Sequence, residues 1–97
     1  MPFAIVLAPE AVEDLRRLGA RGRSEARAAL ETHLRYEPEK VSRSRIKRLR
    51  GLRQPQYRLR IDDLRIFYDV TGTTVEVLAI VSKSEAEGWL AQFGNPG

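Results

Sequence analysis

An α+β fold, with helices packed against one twisted and mostly antiparallel sheet, is predicted by three features of the sequence. Apolar residues recur at helical spacing twice in the first third, as Val12-Leu15-Leu18 and as Ala26-Ala29-Leu30-His33-Leu34. Residues 57–70 alternate apolar and polar as a hairpin does, and Val75–Val81 is a β-branched run apolar on both faces, which suits a strand inside a sheet. Between and around these lie turn signals rather than linkers, so residues 1–97 read as one domain with one core.

The elements follow in order. Phe3–Ala8 is a short buried strand, and Pro9 fits the first turn of a helix, where its missing N–H costs nothing. That helix carries Glu10, Glu13 and Asp14 early and Arg16 and Arg17 late, as its dipole prefers, and Gly19 closes it. Ala20-Arg21-Gly22-Arg23 is a short link to a second helix over residues 24–35, making a helical hairpin, and Pro38 ends it. Residues 39–54 form a basic loop entering a short strand near Ile46–Arg50. The Asp62-Asp63 turn divides the hairpin, and Thr71-Gly72-Thr73 marks the next turn. Ser84-Glu85-Ala86-Glu87 matches a capping box and opens a short C-terminal helix that buries Ala86, Trp89, Leu90 and Phe93; Asn95-Pro-Gly then frays. The order is an N-terminal strand, a helical hairpin, a mostly antiparallel twisted sheet and a short C-terminal helix.

With 42% hydrophobic and 31% charged residues, the composition is that of a folded globular chain. Its net charge of +4 is carried largely by arginine, the side chain suited to planar bidentate contacts with phosphate or carboxylate. A GC-rich coding sequence enriches arginine too. No cysteine is present, which excludes disulfides and thiolate metal sites. The N-terminal apolar run is only a strand long and lacks a basic lead, so neither a signal peptide nor a membrane span is expected; the cytoplasm is the expected compartment.

The hairpin carries the chemistry. Tyr57, Leu59 and Ile61 point to one face, and Leu64, Ile66, Tyr68 and Val70 continue that apolar row on the return strand. Arg58, Arg60, Arg65 and Phe67 then converge on the opposite face. Clustered arginine beside an aromatic ring can grip phosphate and stack a base, though a solvated face of scattered charge would look the same. Lys47, Arg48, Arg50 and Arg53 precede the hairpin and extend the basic surface as substrate-binding candidates. His33 lies on an apolar stripe and reads as packed, and Asp62-Asp63 reads as a turn rather than a Mg²⁺ ligand pair. No cofactor or metal constellation is present in the sequence.

Leu7-Ala-Pro-Glu-Ala-Val-Glu-Asp-Leu-Arg-Arg-Leu18, Lys47-Arg-Leu-Arg-Gly51, Tyr57-Arg-Leu-Arg60 and Leu64-Arg-Ile-Phe-Tyr68 together resemble the RelE/ParE family of toxins, over nearly the whole chain. The resemblance implies a toxin neutralised by a cognate antitoxin, in a hetero-oligomer, with no membrane association. It leaves three functional classes open: a metal-independent, ribosome-dependent mRNA endoribonuclease that inhibits translation, a non-enzymatic poison of DNA gyrase, and a degenerate member that binds RNA or antitoxin. For the ribonuclease, it implies that Arg58, Arg60, Arg65 and Lys83 act as the catalytic set. It implies that Trp89 stacks on the mRNA base, beside Phe67 as read from the hairpin itself, while the Lys47–Arg53 basic residues are expected to make positioning contacts to rRNA phosphates. Ribonuclease members often carry Lys where this chain has Arg58 and Arg60, and Trp89 stands in place of Tyr. Its spacing from Ala86 and Phe93 equally suits a core position. An antitoxin is expected to dock on the Val12/Leu15 and Leu30/Leu34 helices or to add a strand at a sheet edge.

Overall fold

The structure, a computed structural model, describes residues 1–96. Strand β1 (Ala4–Leu7) leads into helix α1 (Pro9–Arg17) and helix α2 (Ala20–Ala29), which continues as a wider π-helical turn, Leu30–Leu34. Strands β2 (Ile46–Arg48), β3 (Tyr57–Ile61), β4 (Leu64–Thr71) and β5 (Thr74–Ser82) follow, and helix α3 (Lys83–Phe93) ends the fold. The sheet order is β1-β5-β4-β3-β2, with β1 parallel to β5 and every other pair antiparallel. This is the expected α+β architecture.

Helices α1 and α2 cover one face of the sheet. Their Ala11, Leu15, Ala26, Ala29, Leu30 and Leu34 pack on Leu59, Ile61, Ile66, Tyr68, Val75, Val77 and Ile80. In α1 the buried stripe runs through Ala11 and Leu15 and leaves Val12 exposed, one position round from the expected row. Leu15, Leu30 and Leu34 are buried against the sheet, so they offer no docking surface.

Residues 20–23 form the first turn of α2, with the Arg23 N–H donating to Gly19 O at 2.9 Å. Alanine and arginine propagate a helix well, and the Arg23 guanidinium donates to Leu18 O at 2.6 Å, so Leu18-Gly19 alone turns the chain.

Two polar devices fix the layers. Asp14 Oδ2 accepts the Ile80 N–H at 2.9 Å, pinning α1 to β5 just beyond the register shift at Phe67/Tyr68. The Tyr68 hydroxyl donates to Pro38 O at 2.5 Å beneath the ring of Tyr57, which stacks on it with centroids 5.4 Å apart. Burial pushes the Tyr68 phenol far above its ordinary range, so it is a fixed donor.

The start of α3 is capped by Ser82 and Glu85, not by Ser84 and Glu87. Glu85 Oε1 accepts the Ser82 N–H at 3.4 Å and the Ser82 hydroxyl at 2.9 Å. Lys83 continues the strand directly into the helix, which moves the cap two residues earlier. The expected fraying at Asn95 is replaced by an antiparallel bridge to Gln54, closed by Asn95 N–H to Gln54 O at 2.7 Å; Gly97 lies outside the described residues. No helix among the described residues is long and apolar enough to cross a membrane.

Candidate phosphate-binding face

Register places the basic residues. Lys47 lies opposite Arg58, Arg58 opposite Phe67, and Phe67 opposite Ala79, forming one row across four strands on the face away from α1 and α2. The next row pairs Arg60 with Arg65 and Arg65 with Val81. Two residues along a strand advance the chain about 6.6 Å, so Arg58 and Arg60 are spaced as two neighbouring grips on one backbone. The structure therefore brings Arg58, Arg60 and Arg65 together with Lys47.

Like charges directly opposed on a sheet repel, and no carboxylate among the described residues pairs with them here. Among the described residues, none of Lys47, Arg58, Arg60 or Arg65 forms an ion pair. Arg58 Nε is buried with no protein acceptor. Burial, and then the positive charges of Arg65 and Arg60, hold the Arg58 guanidinium below its ordinary pKa. An anion seated on this face would accept the orphan N–H and neutralise the repulsion.

Arg65 differs from its neighbours. It is only 6% exposed, and its Nη1 donates to Asp62 O and Leu64 O, both at 2.9 Å. The guanidinium thus ties the hairpin turn, in which Asp62 adopts a left-handed φ of 47°. Its lone positive φ and two carbonyls held by one side chain mark a turn built around Arg65, a role that alternation in the sequence did not signal.

The aromatic expectation needs correcting. Phe67 is fully buried, because the Trp89 ring lies on it with centroids 4.8 Å apart and planes 7° from parallel. Phe67 therefore has no face for a base, and one face of half-buried Trp89 is spent on Phe67. Phe93 leans on Trp89 at 5.6 Å and stays largely exposed. Helix α3 thus floors the β4–β5 side of this face and leaves Lys47 and Arg60 exposed beyond it.

The basic run splits as well. Arg48 turns to the other face, with its guanidinium 5.1 Å from the Tyr57 centroid and NH1 on Gln56 O at 3.1 Å. It is not beside Arg58. Arg50 and Arg53 lie in the exposed loop between β2 and β3. That loop is held by Asp69, which accepts Gln54 Nε2 at 2.6 Å and Gln56 N–H at 2.7 Å. Lys83 is exposed at the first turn of α3, and its N–H donates to Asp63 O at 2.7 Å, which sets it beside the hairpin turn. Among the described residues no cluster of His, Cys, Asp or Glu is arranged to hold a metal ion.

A second concavity, of about 1020 Å³, opens between α1 and α3. Leu78, Ile80 and Trp89 line it together with Glu10, Glu13 and Glu85.

Comparisons with known proteins agree with this architecture. A family model described as the ParE toxin of type II toxin-antitoxin systems, parDE, matches residues 5–87. Among solved structures, the RelB-RelE antitoxin-toxin complex of Methanococcus jannaschii is similar at TM-score 0.64 and 19% identity, covering 87% of this chain and 96% of that one. The RelBE2 toxin-antitoxin complex of Mycobacterium tuberculosis gives 0.63 and 24%, covering 84% and 99%. The archaeal RelE-RelB complex of Pyrococcus horikoshii gives 0.61 and 25%, covering 86% and 97%. Comparison with curated proteins finds no significant match. With a family model spanning most of its length and a fold similar to these solved complexes, the chain belongs to the RelE/ParE family and is the toxin of a type II toxin–antitoxin system.

Proposed function

We propose that this toxin is a metal-independent, ribosome-dependent mRNA endoribonuclease that stops translation. The observation carrying this reading is the uncompensated guanidinium cluster, with Arg58 Nε buried and unpartnered beside Arg60 and Arg65. The scissile phosphate seats on Arg58 and Arg60, with Lys47 and Lys83 at its margins. The ribose 2′-oxygen attacks the adjacent phosphorus as the bond to the 5′-oxygen breaks, leaving a 2′,3′-cyclic phosphate and a 5′-hydroxyl. Arginine keeps its proton, so the cluster supplies charge to the pentacovalent transition state while the 2′-OH proton passes to water and water protonates the leaving 5′-oxygen. Arg65 acts mainly by holding the turn that aims Arg60.

One observation favours a second reading, a non-enzymatic poison of DNA gyrase. Glu85, the carboxylate at the start of α3, is committed to its helix cap, and Asp69, which alternates onto the arginine side of β4, is committed to Gln54 and Gln56. Pulse labelling after induction separates the two. A nuclease stops protein synthesis first, with new 5′ ends on cellular mRNA by primer extension; DNA synthesis failing first would replace this reading with the gyrase one.

The solved relatives are complexes with an antitoxin, and a cognate antitoxin is proposed for this chain too. The concavity between α1 and α3, with its apolar floor and exposed Phe93, is the place the fold leaves for an apolar segment. Coexpression with the adjacent small open reading frame should yield a stable complex on gel filtration. A chain that expresses freely alone and copurifies with no neighbouring product would remove both the toxin activity and the partner.

A further inference from the structure

On the other side of the β2 edge, the turn after α2 and the segment entering β2 enclose an open hollow of about 340 Å³. We propose that this hollow, bounded by His33, Lys40, Ser42, Ser44 and Arg45, is a second phosphate station for the RNA strand whose scissile phosphate lies on Arg58 and Arg60; the identity of that strand rests on the ribonuclease reading.

The lining is a donor set. Ser42 Oγ accepts the Arg45 N–H at 3.1 Å and the Ile46 N–H at 3.2 Å, and the Ser42 N–H donates to Ile46 O at 2.9 Å. This tight loop fills the lone pairs of the hydroxyl and leaves its hydrogen to donate outward. Arg45 and Lys40 bring two cations, and Ser44 a second hydroxyl. Glu37 is the opposing charge, 3.6 Å from Lys40 in an exposed pair that solvent weakens. The hollow therefore presents more donors than acceptors, as an anion site needs.

It is also mechanically joined to the arginine face. The Arg60 N–H donates to Arg45 O at 2.8 Å, and Arg45 Nη1 donates to Arg60 O at 3.4 Å. The two phosphate grips are thus tied to each other by one main-chain and one side-chain bond. Burial, followed by the nearby Arg45 charge, holds His33 below its ordinary pKa, so the ring is neutral near pH 7. A phosphate in the hollow would oppose Arg45 and favour the protonated ring.

His33 is the single histidine, so its ring protons report on this hollow alone. A pH titration followed by NMR, with a short RNA carrying 2′-deoxy sugars to block cleavage, is expected to move the His33 midpoint upward. RNA binding should tighten several-fold as pH falls below 6.5. Lys40→Ala with Arg45→Ala should abolish the His33 response with the amide spectrum otherwise intact. Ser44→Asp, which installs a fixed carboxylate, should raise the His33 midpoint without RNA and remove its further response to RNA. RNA that shifts the Arg58–Arg65 amides but not His33 overturns the station and leaves the ribonuclease reading standing. Inorganic phosphate moving His33 where RNA does not would mean an adventitious ion only, and would equally overturn it. RNA that moves neither set of signals overturns the station, and primer extension on programmed ribosomes then decides the ribonuclease reading.

Discussion

Phe67 and Trp89 form a parallel stack 4.8 Å between centroids, the main side-chain contact between α3 and the sheet. It joins a fully buried strand residue to a helix in which no residue is fully buried, so α3 depends on it more than on its own weak amphipathicity. Trp89→Ala is expected to cost about 2 kcal/mol, below the range for a fully buried aromatic because Trp89 is half-exposed. Trp89→Phe should restore most of that. Urea unfolding followed by far-ultraviolet circular dichroism checks both, and unchanged stability with lost RNA binding would return Trp89 to a base-stacking role.

Arg65→Ala removes two charge-assisted bonds to the carbonyls of the hairpin turn. The expected loss is about 2 kcal/mol, with lowered thermal stability and faster amide exchange around Asp62 and Asp63. Cleavage on programmed ribosomes should fall in the same variant. If the melting temperature stays level while single-turnover cleavage collapses, Arg65 acts on the transition state and not on the turn.

Arg58→Met tests the opposite balance. Arg58 is crowded by Arg60 and Arg65 and carries an unpartnered buried N–H, so an uncharged side chain of similar length relieves strain in the free protein. Stability should hold or rise by up to about 1 kcal/mol, while cleavage falls on the order of 10²–10³. A stabilised but inactive variant is the signature of a site held ready for an anion. Loss of stability would mean that Arg58 has a structural role instead.

The pH dependence of stability has a sign fixed by His33. Its folded pKa lies below the ordinary 6.5, so the unfolded chain takes up the proton first as pH falls. The stability associated with the neutral ring is fully present above about pH 6.5 and declines below it, until pH has passed the folded midpoint. His33→Gln should flatten this limb in urea titrations between neutral and mildly acidic pH. A limb of the same size in the variant would assign it to carboxylates.

Alternation along residues 57–68 made the arginine face legible because a strand's side-chain period is fixed by covalent geometry. The helix order was legible for the same reason, through the 3.6-residue period of Ala26, Ala29, Leu30 and Leu34. What could not be read were contacts between elements distant in sequence. Nothing local in Phe67 signals that a helix twenty-two residues later lies on it, nor does Asp69 announce that it clamps Gln54 and Gln56. The Lys47–Arg53 run misled because charge alone carries no facing. Only pairing with β3 reveals that Lys47, and not Arg48, looks to the Arg58 face.

That opposition gives the sharpest test of which surface meets nucleic acid. Lys47 is opposite Arg58 and exposed, whereas Arg48 covers the Tyr57 ring on the helix-bearing face. Lys47→Ala should weaken ribosome or RNA binding across sequences and reduce the slope of log affinity against log salt by about 0.7, the release from one single-strand phosphate contact. Arg48→Ala should leave that slope unchanged and cost about 1 kcal/mol of stability through the lost ring contact. Fluorescence anisotropy with a labelled RNA at several salt concentrations measures the slopes, and urea unfolding measures the stabilities. Equal slopes for the two variants would mean that Lys47 makes no phosphate contact that Arg48 lacks, and would remove the Arg58 face as the path of the strand.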